Sequence, residues 1–207
     1  MPRMFSKWIV PLLLLCVVAG AGAFWRLAED PRYLVSDWTS FGRYSRYDPL
    51  IEEAARKHGV DPLLVRAVVW QESRFHPDKT GGAGERGLMQ VGEMAAADWV
   101  RIHKVETFAP TDLFSPSTNL EIGTWYLAQA LRRWKERDDA VPFALAEYNA
   151  GKRRVDRWTT GEGGDGGPDG PLGARAFQER IDFPTTRAYV EAIVHRFNYY
   201  RRRAGER

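Results

Sequence analysis

Asp61-Pro62-Leu63-Leu64-Val65-Arg66-Ala67-Val68-Val69-Trp70-Gln71-Glu72-Ser73-Arg74-Phe75 is the stretch from which the rest of this chain is read. Aspartate followed by proline marks a helix start: the carboxylate caps the first turn, and proline at the first helical position has no hydrogen bond to lose. Leu64, Val68 and Glu72 follow at intervals of four, with Val65 and Ala67 beside them, so one stripe of the helix is apolar until its last turn. Glu72 therefore lies on the buried stripe. Desolvation disfavours its ionised form, and the carbonyl end of the helix dipole repels a negative charge. Both raise its pKa above the reference of about 4.3 and keep a proton available near neutral pH, as a general acid requires. A lone glutamate at a helix end more often turns out into water, so the surroundings decide between the two readings.

At 207 residues, 44% hydrophobic and 13% aromatic, the chain has enough apolar material for one packed domain and an appendage. A net charge of +3, with basic residues dispersed except for Arg201-Arg202-Arg203, argues against nucleic acid as the partner. The single cysteine, Cys16, excludes an internal disulfide, and His58, His76, His103 and His195 have no metal-ligand spacing, so neither a metal nor any other cofactor is expected. No phosphate-binding glycine motif and no Gly-x-Ser-x-Gly elbow is present.

Residues 1–25 open with Arg3 and Lys7 and run apolar from Trp8 to Trp25, the pattern of an export signal. Small residues at Ala19, Ala21 and Ala23 suit cleavage, while the length equally suits an uncleaved anchor in the inner membrane through residues 8–25. Residues 26–46 read as a linker. Asp48-Pro49 then opens a helix with Ile51, Ala54, Ala55 and a core-edge His58, closed by Gly59. Downstream of Glu72, four glycines between Asp78 and Gly87 form a loop able to approach a ligand with its backbone. Leu88 to Lys104 reads as helical; Ser115-Pro116 opens the longest helix, striped by Leu120, Gly123, Leu127, Ala130, Leu131 and Trp134; Val141 to Ala150 is a nearly all-apolar helix ended by Gly151. Thr160 to Gly173 is a glycine-rich loop, and a last helix starts at Pro184 with Val190, Ile193, Val194 and Phe197 aligned. No strand pattern or repeat appears, and the expected fold is a compact all-α domain.

With these blocks in place, residues 46–203 resemble the catalytic domain of the soluble lytic transglycosylase family, which cleaves peptidoglycan glycan strands. The resemblance runs through Gln71-Glu72-Ser73-Arg74-Phe75-His76-Pro77, Gly87-Leu88-Met89-Gln90-Val91, Ala146-Glu147-Tyr148-Asn149-Ala150-Gly151 and Phe183-Pro184-Thr185-Thr186-Arg187-Ala188-Tyr189-Val190, in that order. It implies a lysozyme-like, goose-type fold over residues 47–204. It also implies Glu72 as acid and then base, with Ser73, Met89, Gln90, Tyr148, Asn149 and Tyr189 binding substrate, and Glu147 beside Tyr148 is a further candidate substrate contact. Against this stand core-filling readings of Met89, Tyr148 and Tyr189. The chain departs from the family at Val91-Gly92-Glu93 and at Thr185, where a glutamate is common; Glu85 and Glu147 are extra carboxylates.

The resemblance further implies a lyase: the substrate's own N-acetyl group and 6-hydroxyl take the place of the second carboxylate that glycosidases ordinarily need, leaving a 1,6-anhydro end on the muramic acid. The partners implied are peptidoglycan strands and, beyond them, other cell-envelope proteins, with the enzyme exported to the periplasm. Two other readings compete: a lysozyme-type hydrolase in which Glu85, Glu93 or Glu147 positions water, and a glycan-binding envelope component without turnover.

Overall fold

The computed structural model describes residues 16–20, 35, 39–40, 42–137, 139–160 and 173–205. Most of the export segment and most of the 160–173 loop lie outside the described residues. The chain forms two compact units, Met1–Arg43 and Tyr44–Arg207, and the second contains every element discussed below.

Helix α1 (Asp48–His58) buries Ile51, Ala54 and Ala55 and ends at Gly59, whose φ of 68° is the left-handed stop that glycine adopts without strain. His58 sits at the core edge, its Nε2 3.0 Å from Glu121 Oε1. Helix α2 (Pro62–Ser73) is capped by Asp61, which accepts from the Leu63 N–H at 2.8 Å. It buries Leu64, Val65, Ala67, Val68 and Val69, the apolar face expected from their spacing.

Helix α3 runs from Glu93 to His103, and its start corrects the expectation of a helix from Leu88. Three restraints hold residues 88–91 out of a helix. The Met89 N–H donates 2.7 Å to the Asn119 side chain, Gln90 has a φ of 48°, and Val91 forms an antiparallel bridge with Arg86. That bridge and one between Thr80 and Arg86 are the β-pairings among the described residues.

A 3-10 turn (Pro110–Phe114) leads into α4 (Pro116–Arg133), followed by α5 (Val141–Ala150), α6 (Lys152–Thr160), α7 (Ala174–Arg180) and α8 (Pro184–Gly205). At 22 residues α8 exceeds the 18 of α4, which the sequence suggested would be longest. Helices α6 and α7 border the glycine-rich stretch and were not foreseen; Phe177 of α7 stacks on Phe143 of α5 at 4.1 Å between ring centroids. Helix α5, with Pro142 to Ala146 all buried, is the centre of the core: α4, α6 and α8 pack against it, and α8 also packs on α2.

Asn119, fully buried on α4, joins the loop to this core. Its Oδ1 accepts from Met89 N–H, and its Nδ2 donates to the carbonyls of Arg86 (2.7 Å) and Leu113 (2.8 Å). One turn along α4, Gly123 leaves room for the Met89 side chain, whose sulfur would lie 2.6 Å from a Cβ at that position. Asn119→Ala leaves one donor and two acceptors unpaired and is expected to destabilise the domain by about 3 kcal/mol, a fall in Tm of roughly 10 °C. The isosteric Asn119→Asp should not restore the lost stability in calorimetry, since it sets a carboxylate against two carbonyls.

Candidate active site

Glu72 occupies the last turn of α2 because the chain is forced to leave the helix just after it. Arg74 and Phe75 both adopt left-handed backbone (φ 53° and 61°), and the Arg74 N–H returns to the Trp70 carbonyl. Two consecutive non-glycine residues in this region are costly and need compensation. Phe75 provides it: its side chain is fully buried, with its ring 5.1 Å from that of Tyr44. The carbonyl of Glu72 itself accepts from Lys79 Nζ, which ties the helix end to the loop that follows.

The Glu72 carboxyl receives the Tyr189 hydroxyl, which donates 2.7 Å to Oε1 from α8. Burial dominates its ionisation and pushes the pKa up to about 7; the Tyr189 hydrogen bond and the Lys79 charge oppose this, while the Glu85 charge adds to it. The net result is a carboxyl poised near neutrality, able to give a proton and take one back. Tyr189 and Tyr148 are themselves driven well above the ordinary phenol range, by burial first and by the Glu72 charge second. They stay neutral donors: the Tyr148 hydroxyl donates a hydrogen bond to the Met89 carbonyl at 2.8 Å.

The loop presents a second carboxylate. A Cβ on Gly81 would lie 2.4 Å from Glu85 Oε2 and 2.9 Å from Gln90 Oε1, so the missing side chain lets both groups converge over this residue. Glu85 Oε2 also accepts from the Ala83 N–H at 3.1 Å. Gln90 is locked from its other end, its Nε2 donating to the carbonyls of Lys79 (3.0 Å) and Gly87 (2.9 Å).

Of the residues expected at the site, Glu72, Tyr148, Tyr189 and the Met89 carbonyl converge, while Gln90 folds back over Gly81. The Met89 side chain is fully buried beside Thr124 and joins the site through its carbonyl. Ser73 is buried, with its hydroxyl bonded back to the Val69 carbonyl at 3.2 Å. Asn149 accepts from the Thr186 hydroxyl at 2.7 Å, a link between α5 and α8. Glu147 points into a polar cluster of its own, where its Oε2 accepts from Arg133 (2.6 Å) and from the Trp134 indole (2.8 Å). Sequence reasoning missed Lys79, Asn119 and Thr186. A polar amide beside Leu120 on an otherwise apolar stripe was the one available signal for Asn119. Among the described residues no group of three or more acidic, histidine or cysteine side chains is arranged to hold a metal ion.

Residues 49–167 match the family model for the transglycosylase SLT domain. The soluble lytic murein transglycosylase of Salmonella typhimurium is 32% identical over 162 residues, covering 78% of this chain and 24% of that protein. Membrane-bound lytic murein transglycosylase F of Desulfosudis oleivorans is 37% identical over 118 residues, covering 56% of this chain and 24% of the relative. The crystal structure of the 70-kDa soluble lytic transglycosylase of Escherichia coli superposes with a TM-score of 0.64 at 29% identity, over 77% of this chain and 24% of that one. The chain thus spans about a quarter of the length of each of these relatives.

Two outcomes follow from the electrostatics. Glu72 titrates near 7 in the folded protein and near 4.5 when unfolded, so its burial costs nothing below pH 4.5 and removes stability as pH rises towards 7. Glu72→Gln should therefore gain about 1–3 kcal/mol over the unmutated protein between pH 5 and pH 8, read as a widening Tm difference. Tyr189→Phe removes a donor that favours the ionised carboxylate, and should move the Glu72 titration, followed by carboxyl 13C NMR, upward by about one pH unit.

Proposed function

The chain belongs to the transglycosylase SLT domain family, and from that premise we propose that it is a peptidoglycan lytic transglycosylase with Glu72 as its single acid and base. The observation that carries this reading is the Glu72 carboxyl, held by burial at a pKa of about 7 and gripped by Tyr189. The protonated form gives its proton to the glycosidic oxygen as the bond from C1 of the muramic acid breaks. The N-acetyl oxygen of the substrate stabilises the developing cation. The 6-hydroxyl then closes onto C1 and returns its proton to the ionised Glu72, so no water is consumed and the product is a 1,6-anhydro end. Tyr189 bonds the anion that exists between the two transfers, and Lys79 favours that same form through its charge.

The disposition of the other carboxylates supports a lyase over a hydrolase. Glu147 is engaged by Arg133 and Trp134, and Glu93 by Arg86 at 3.1 Å. Glu85 is the exception, since its charge reaches Glu72. The catalytic domain proposed is residues 47–204, acting on glycan strands outside the cytoplasmic membrane, with residues 1–25 as signal or anchor.

Incubation of the protein with purified peptidoglycan, followed by mass spectrometry, tests the reading. Anhydro-muramic ends are expected, falling by at least about a thousandfold in Glu72→Gln. Reducing ends instead would indicate hydrolysis, with Glu85 positioning water. A folded protein that binds strands and makes neither product would be a binding component.

A further inference from the structure

A second concavity opens on the segments that lead away from the acid. Met94, in the first turn of α3, faces the Ala150-Gly151 turn and four cations of α6, Lys152, Arg153, Arg154 and Arg157, around a cavity of about 610 Å3. Met94 lies four residues beyond Gln90, and Ala150 directly follows Asn149, so the cavity is built on the two segments that carry Gln90 and Tyr148.

The charge balance of this cavity is one-sided. Among the described residues no carboxylate lines it. The acids nearest in sequence are engaged elsewhere, Glu93 with Arg86 and both Glu147 and Asp156 with Arg133. Among the described residues Lys152, Arg153 and Arg157 form no ion pair, while Arg154 is braced by its bond to the Ala150 carbonyl (2.9 Å) and by the Phe183 ring 4.9 Å away. The opposite face of α6 buries Val155, Trp158 and Thr159, which fixes the orientation of the cationic face. Four like charges within six residues repel one another, and an anion in their midst relieves that repulsion. A cationic helix face is commonly just solvated; here it walls a cavity, beside a methionine that is 86% exposed.

The stem-bearing sugars of a glycan strand carry no charge, whereas the peptide stem on each muramic acid carries free carboxylates. We propose that this cavity binds the carboxylates of the peptide stem while the strand lies over Glu72, a role that rests on the transglycosylase reading. It makes Arg153 and Arg157 determinants of substrate choice, separate from the acid chemistry.

The test compares Arg153→Glu/Arg157→Glu with the unmutated protein on stem-bearing peptidoglycan and on the same peptidoglycan with its stem carboxylates converted to amides by carbodiimide and ammonia. The expected result is a KM about tenfold higher for the variant on the stem-bearing substrate, unchanged turnover of the amidated one, and a difference that fades as salt is raised. Arg153→Lys/Arg157→Lys should keep most of the preference. Equal losses on both substrates, or no loss on either, would overturn the proposal. Should the unmutated protein turn over neither substrate, the transglycosylase reading falls. The cavity is then judged by binding alone, with soluble stem tetrapeptide titrated into Glu72→Gln. Amide NMR shifts at Gly151 and Arg153 that disappear in the charge-reversed variant would uphold it, and their absence would sink it.

Discussion

Three hydrogen bonds from one buried amide decide where the chemistry of this domain can happen. Asn119 takes the Met89 N–H and gives to the carbonyls of Arg86 and Leu113, groups that otherwise would be buried without partners. The loop between α2 and α3 is rich in glycine and too polar to pack by itself, so its shape is imposed from outside. With Met89 pinned, its carbonyl is in place for Tyr148, and Gln90 is turned back over Gly81. A loop of flexible composition thereby gains the definition of a helix-borne site.

The same logic of one element correcting another governs Glu72. Burial alone would push the carboxyl further from ionisation; Tyr189 and Lys79 pull it back, and Glu85 pushes again. The balance near 7 is a compromise among groups from α2, the loop and α8. A tyrosine suits this task because burial keeps it protonated, so it donates to the carboxylate without carrying charge into the site.

Ionic pairing is distributed unevenly over the surface. Arg133 collects both Glu147 and Asp156, with Trp134 adding a second donor to Glu147, and this cluster bridges α4, α5 and α6. Its effect is to withdraw acids from the neighbourhood of the α6 cations. A network that is structural on one face of a helix thus sets the electrostatic character of the other.

By itself the sequence determined the helical class, the span of α2, the helix stops at Gly59 and Gly151, and the lodging of Glu72 on an apolar stripe. Capping, periodicity and glycine stops are local, and a few residues specify each. It also determined family membership, through four blocks in order. Tertiary structure decided the rest, because the rest depends on partners far apart in the chain. Leu88 to Val91 has helical periodicity, yet Asn119 and Arg86 hold it in a turn. Met89 went to the core because Gly123 left a space there, and Glu147 went to Arg133 and Trp134 instead of towards Glu72. Tyr189 meets Glu72 across 117 residues. Their meeting follows from α8 packing on α2, and no local pattern in either segment encodes the distance between a hydroxyl and a carboxylate that only the assembled core brings together.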